Sequence, residues 1–168
     1  MPMDAVFLHG LTQELTQSLT GARIDKVQQP ERDLLLLSVR TQSGNAKLLV
    51  HGGVGSARVH FTAGTFENPA EPPMFCMLLR KHIANGRIIS ITQPHMERII
   101  HLKIEHLNEM GDICHKTLVI ELMGKHSNII FCDEDGTMID SIKHVSSAVS
   151  SLREVLPGRP YFIPATQE

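Results

Sequence analysis

The run Arg98-Ile99-Ile100-His101-Leu102-Lys103-Ile104-Glu105-His106-Leu107 sets Ile100, Leu102 and Ile104 at alternate positions, with His101, Lys103 and Glu105 between them. Successive strand residues face opposite ways, so this alternation predicts an antiparallel strand with one apolar and one half-solvated face. Asn108 to Asp112 then supplies a turn into a second run, Lys116 to Met123. A hairpin around Asp133-Glu134-Asp135-Gly136 joins Ile129–Phe131 to Met138–Val145, and a short helix is expected before Pro157-Gly158.

Working back toward the start, Ile88 to Gln93 reads as a strand. Before it lies a helix opened by Pro72-Pro73, carrying Met74, Met77, Leu78 and Ile83, and stopped at Asn85-Gly86. Earlier still, Arg23–Gln29, Leu34–Arg40, Lys47–His51 and Val59–Thr62 form a strand meander punctuated by Pro30 and Ser43-Gly44-Asn45. The chain opens with a helix in which Phe7, Leu8, Leu11, Leu15 and Leu19 recur at helical spacing, with Asp4 as its cap and Gly21 as its end. Two helices among many strands predict an α+β domain dominated by antiparallel sheet.

Composition narrows the function classes. A chain of 168 residues with 42% hydrophobic content supports one core, so a single domain over 1–168 is expected. No run of about 18 apolar residues occurs, and Met1-Pro2-Met3-Asp4 lacks the pattern of a signal peptide, which predicts a cytoplasmic protein without membrane contact. Cys76, Cys114 and Cys132 are too far apart for a disulfide framework or zinc knuckle and are expected to be buried free thiols. The formal charge of -2 means that any RNA contact must come from a local patch.

Gly124-Lys125-His126-Ser127-Asn128 lies between two apolar runs and gathers an ammonium, an imidazole, a hydroxyl and an amide, groups suited to phosphate or ribose. Its plainer role is a polar hairpin loop that satisfies its own backbone. Glu97-Arg98 stands at the mouth of the long strand, where an arginine can stack on or fork to an unpaired base, or form a surface ion pair. Gly52-Gly53-Val54-Gly55 lacks the helix and lysine of a phosphate loop and reads as a close approach of backbones. His101, His106 and His115 share no metal-binding spacing, so no metal or cofactor is expected.

Glu121-Leu122-Met123-Gly124-Lys125-His126-Ser127-Asn128-Ile129-Ile130, Ser141-Ile142-Lys143-His144-Val145 and Arg153 to Tyr161 together resemble the N-terminal NFACT domain of bacterial RqcH, formerly called fibronectin-binding protein A, and of eukaryotic NEMF. The resemblance runs from Met1 to about Pro164. It implies a β-sandwich-like core with flanking helices, similar to the N-terminal domain of the formamidopyrimidine-DNA glycosylases. Those enzymes use an N-terminal proline with an adjacent glutamate, whereas here Pro2 is followed by Met3 and Asp4; a non-enzymatic module is expected.

By the same resemblance, Glu97-Arg98 stands where the family carries an Asp-Arg pair that holds the tRNA anticodon region. Asp4 matches an acidic residue linked to tRNA handling, and Lys143-His144 stands where Lys-Arg is usual. The implied tRNA contacts are therefore Asp4, Glu97, Arg98, Lys125, His126, Ser127, Asn128, Lys143 and His144. The implied partners are tRNA and the large ribosomal subunit holding peptidyl-tRNA, within a ribosome quality-control factor that extends stalled peptides with C-terminal alanine tails. This chain would then be one domain excised from a longer protein. The older family name implies a rival reading, an adhesin domain that binds fibronectin.

Overall fold

The computed structural model describes residues 5–94, 97–146 and 154–163. Helix α1 spans Ala5–Leu19 and α2 spans Met74–Ile83. The strands are β1 (Arg23–Glu31), β2 (Leu34–Thr41), β3 (Gly44–His51), β4 (Arg58–Thr62), β5 (Arg87–Thr92), β6 (Ile99–Leu107), β7 (Ile113–Glu121), β8 (Asn128–Cys132) and β9 (Met138–Ser141). All described pairings are antiparallel, in the order β4-β3-β2-β1-β5-β6-β7-β8-β9. The α+β expectation holds.

The strands form one ordered sheet, whereas the resemblance implies a sandwich. Its two halves meet at a single register pair, Arg23 with Arg87. Nevertheless they share one core: Leu35, Leu37 and Leu48 from the first half pack with Ile100, Leu102, Ile104 and Leu118 from the second. Leu8, Leu15 and Leu19 of α1 and Leu79 and Ile83 of α2 complete that cluster. The sheet therefore folds over on itself, and a Cβ on Gly52, just past β3, would stand 3.1 Å from Ile129 Cγ1 and 3.4 Å from the Asn128 carbonyl carbon. Close backbone approach is the role of this glycine turn, as its sequence implied.

Local chemistry accounts for the element ends. Asn85 closes α2 with φ at 68°, a conformation that Asn tolerates better than most residues. Pro30 lies inside β1 instead of ending it, because β1 meets β5 only at Arg23 and the missing N–H costs no bond on that side. β7 begins three residues earlier than the apolar run suggested, its register with β6 extending to Leu107 with Ile113. β9 ends at Ser141, and Val145 instead forms an isolated bridge to Val155. The helix expected before Pro157 falls largely outside the described residues.

His101 departs from the half-solvated face predicted for it. The C-terminal segment packs Val155, Tyr161 and Ile163 with Ile99, Val119, Ile130 and Met138, covering the outer face of β6 to β8 at that end. His101 lies edge-on to the Tyr161 ring at 5.9 Å, and its Nε2 is sealed from solvent with no hydrogen-bond partner among the described residues. Burial holds its pKa below the ordinary histidine value. Cys76 and Cys132 are buried free thiols, with the Cys132 pKa pushed up to about 12 chiefly by burial, while Cys114 is only partly covered.

Candidate nucleic-acid interface

Strand register and three hydrogen bonds bring distant segments together at one end of the second half-sheet. Ile99 pairs with Glu121, and Glu121 with Asn128, so the start of β6 lies beside the β7–β8 connection. The Leu122 N–H donates to the Arg98 carbonyl at 2.9 Å, fixing that connection next to Arg98. On the far side, Asn128 Nδ2 donates to the Lys143 carbonyl at 3.0 Å, and the Lys143 N–H returns a bond to Asn128 Oδ1 at 3.1 Å. Residues 97–98, 122–128 and 141–144 thus form one surface.

The five-residue loop divides in two. Gly124, with φ at 59°, starts a single 3-10 turn over Gly124–His126, and Lys125 and His126 project into solvent. Ser127 and Asn128 are 2% exposed. The Ser127 hydroxyl donates to the Gly124 carbonyl at 2.8 Å, and Asn128 Oδ1 also accepts from the Ile129 N–H at 2.8 Å. Their polar atoms thus bond the chain's own backbone, the plainer of the two roles open to them.

Glu97 and Arg98 are both half-buried, and no ion pair forms between them among the described residues. The Glu97 N–H donates to the Pro94 carbonyl at 3.0 Å, and Gln93 Nε2 donates to the Glu97 carbonyl at 2.9 Å, which holds the approach to β6 in place. His144 is exposed and sets its Nε2 2.6 Å from Asp140 Oδ1. Asp4 lies outside the described residues.

Lys143 is half-buried, and burial holds its pKa below the usual lysine value; Asp33 opposes that shift and Arg32 adds to it. His51, at the end of β3, has its pKa lowered by burial and by Arg58, and its Nδ1 accepts the Gly53 N–H at 3.0 Å. One oxygen of Asp33 is sealed without a partner among the described residues. Arg32, Asp33 and His51 therefore lie near Lys143, and the sequence reading missed them. Each lies in or beside a turn of the first half-sheet, and only closure of the sheet brings it near Lys143.

Elsewhere the histidines serve strand contacts. His115 sets Nδ1 2.9 Å from Glu134 and Nε2 3.2 Å from Glu105, while Lys116 Nζ stands 2.9 Å from His106 Nε2. Among the described residues no group of three or more His, Cys, Asp or Glu side chains has metal-binding geometry. No helix of the described residues is long and apolar enough to cross a membrane.

Comparison with known proteins gives a consistent picture. The family described as NFACT N-terminal and middle domains matches residues 4–168. The chain is 44% identical to the Rqc2 homolog RqcH of Bacillus subtilis, aligning over 100% of its own length and 30% of that protein. It is 31% identical to the archaeal Rqc2 homolog aRqcH of Methanocaldococcus jannaschii, over 88% of this chain and 21% of that one. Among solved structures, the N-terminal domain of fibronectin-binding protein PavA from Streptococcus pneumoniae superposes with a TM-score of 0.93 at 39% identity, covering 97% of this chain and 62% of that one. The fibrinogen binding protein from Staphylococcus aureus gives 0.86 at 35% identity, covering 99% and 58%. The chain thus spans less than a third of the length of the curated relatives named here.

Proposed function

Because this chain belongs to the family of NFACT N-terminal and middle domains, we propose that it is the RNA-contacting module of a ribosome quality-control factor. In this reading it recruits tRNA to large ribosomal subunits that still hold peptidyl-tRNA, so that alanine is added to the stalled peptide. The observation that carries the reading is the convergence of Arg98, Lys125, Lys143 and His144 on one surface, framed by the Arg98–Leu122 and Asn128–Lys143 bonds. Arg98 is the base-reading group, able to stack on or fork to an unpaired base. Lys125 and His126 contact phosphate or ribose from the exposed turn, and Lys143 supplies a second cation. Glu97 orients the nucleotide that Arg98 holds, and Asp4 is assigned to the same tRNA. Ser127 and Asn128 act through the loop conformation they fix.

The module makes and breaks no bonds. It positions charged tRNA while the ribosome performs peptide transfer, and it works in the cytoplasm, where these partners are found. The likeness to the glycosylase N-terminal domain is part of the same proposal, supported by helices packed into the core that the two halves of the folded-over sheet share.

The likeness to a streptococcal fibronectin-binding protein and a staphylococcal fibrinogen binding protein favours a second reading, adhesion to a host protein such as fibronectin. One titration separates the two. Labelled tRNA and labelled fibronectin are each titrated with the chain and with Arg98→Ala. Salt-sensitive tRNA binding that weakens in Arg98→Ala supports the RNA reading. Fibronectin binding without tRNA binding would replace it.

A further inference from the structure

A transverse row of charged residues crosses the outer face of the sheet where its two halves join. Register pairs Arg40 with Arg23, Arg23 with Arg87, Arg87 with Glu105 and Glu105 with His115, across β2, β1, β5, β6 and β7. Adjacent strands lie about 4.8 Å apart, so the three arginines follow one another at that interval. Like charges directly opposite one another destabilise a sheet, and on this face Asp25 and Glu105 set two carboxylates against the three arginines.

Asp25, displaced by the irregularity between Ile24 and Lys26, sets one oxygen 3.4 Å from Arg40 Nη2 and the other 4.0 Å from Arg23 Nε. Arg23 also donates to Asn85 Oδ1 at 3.1 Å. Arg87 is exposed and has no side-chain hydrogen bond or ion pair among the described residues, because the neighbouring Glu105 engages His115. A second row lies alongside, in which Lys26 pairs with Ser38, Ser38 with Lys47 and Lys47 with Thr62. A shallow groove of about 440 Å³, whose lining includes Asp25, Lys26, Ser38, Asn45, Lys47 and Thr62, runs over this face.

We propose that this face binds the phosphodiester backbone of an RNA strand. A regular row of guanidinium groups suits a polymer of regularly spaced anions, and each guanidinium can fork onto a phosphate. Ser38, Thr62 and Asn45 offer hydroxyl and amide partners to the ribose 2′-OH. The result is a dense cationic face on a chain whose formal charge is -2.

This surface is separate from the one around Arg98. Glu105 lies six residue steps along β6 from Ile99, a rise of about 20 Å. The proposal deepens the RNA reading above but rests on different side chains, so the two can fail independently.

The test measures binding of the 168-residue chain to a labelled oligouridylate of about twenty nucleotides at about 50 and about 200 mM salt. Arg40→Glu/Arg87→Glu should weaken binding by about tenfold or more and flatten the salt dependence by about 1.4 logarithmic units, two phosphate contacts at about 0.7 each. Melting curves check folding, and Arg40→Gln/Arg87→Gln serves if the reversed pair does not fold. Polyglutamate of similar length is the competitor, expected to displace little RNA. Binding equal to the parent's, equal displacement by polyglutamate, or no binding by the parent would each overturn the proposal. Loss of binding in Arg98→Ala with none in the arginine pair would overturn it too, leaving the earlier reading intact.

Discussion

The two ends of the second half-sheet are built in opposite ways. Around Arg98 and Lys143 the surface depends on buried polar groups: Asn128 and Ser127 are enclosed and spend their hydrogen bonds on backbone, so that Lys125 and His126 can stand in solvent. Around Arg87 the charged residues owe their alignment to strand register alone, with Asp25 and Asn85 the only side-chain partners of that row's arginines among the described residues. The first surface should be fragile to substitutions that touch no ligand. The second should tolerate loss of any one side chain while keeping its shape.

The most forceful way to break this contrast is Asn128→Ala. It strips Asn128 Oδ1 from the Lys143 and Ile129 N–H groups in a site 2% exposed at Asn128 itself, while the Lys143 carbonyl keeps the Ser141 hydroxyl at 2.7 Å. An expected loss of about 2 to 4 kcal/mol follows from leaving partly buried backbone groups unpaired, readable as a shifted urea midpoint. The comparable removal of Arg87 should stay within about 0.5 kcal/mol. Equal stability of the two variants would erase the distinction between a framed and an unframed surface.

Arg98→Ala should spare folding and weaken tRNA binding by about 1 to 3 kcal/mol if the side chain reads or stacks on a base. Its half-buried position limits packing loss, since the backbone carbonyl that anchors Leu122 survives the substitution. Titration with labelled tRNA alongside a melting curve checks both halves. A variant that binds like its parent removes Arg98 from the interface.

Acid probes the covered side of the same end. His101 is held below its ordinary pKa by burial, so the unfolded chain binds the proton more readily than the folded one. Its contribution is intact above the unfolded value near 6.5 and is lost as pH falls through that value toward the depressed folded one. His51, His82 and His106 shift in the same direction. Urea midpoints taken from neutral pH downward should therefore fall, and His101→Leu should fall less steeply. An identical pH profile for the variant would show that the Tyr161 segment does not enclose this imidazole.

How far these differences could be read in the sequence depends on the range of the interactions. Alternation at Ile100, Leu102 and Ile104 marked β6, and the turn residues Asn108, Gly86 and Gly136 marked most element ends, because each signal is local. The fate of His101 was hidden, since the ring set against it is that of Tyr161, far along the chain. Ser127 and Asn128 sit beside two exposed residues and share their polarity, and only the fold shows which pair turns inward. Arg32 and His51 join Lys143 only when the sheet closes, and the arginine row exists only in strand register.

The finest test lies inside the five-residue loop. Lys125→Ala removes an exposed ammonium from a turn whose conformation rests on Gly124 and on the His126 and Ser127 backbone bonds. Stability should change by no more than about 0.5 kcal/mol, as for other exposed positions. Its effect on tRNA should appear as a salt slope shallower by about 0.7 to 0.9, the signature of one lost phosphate contact. Ser127→Ala should do the reverse, lowering the melting temperature through the lost bond to Gly124 while leaving the salt slope alone, because its hydroxyl faces backbone. If Lys125→Ala left the slope unchanged and Ser127→Ala altered it, the enclosed half of the loop would be the half that meets RNA, and the division between framing and contacting residues would have to be redrawn.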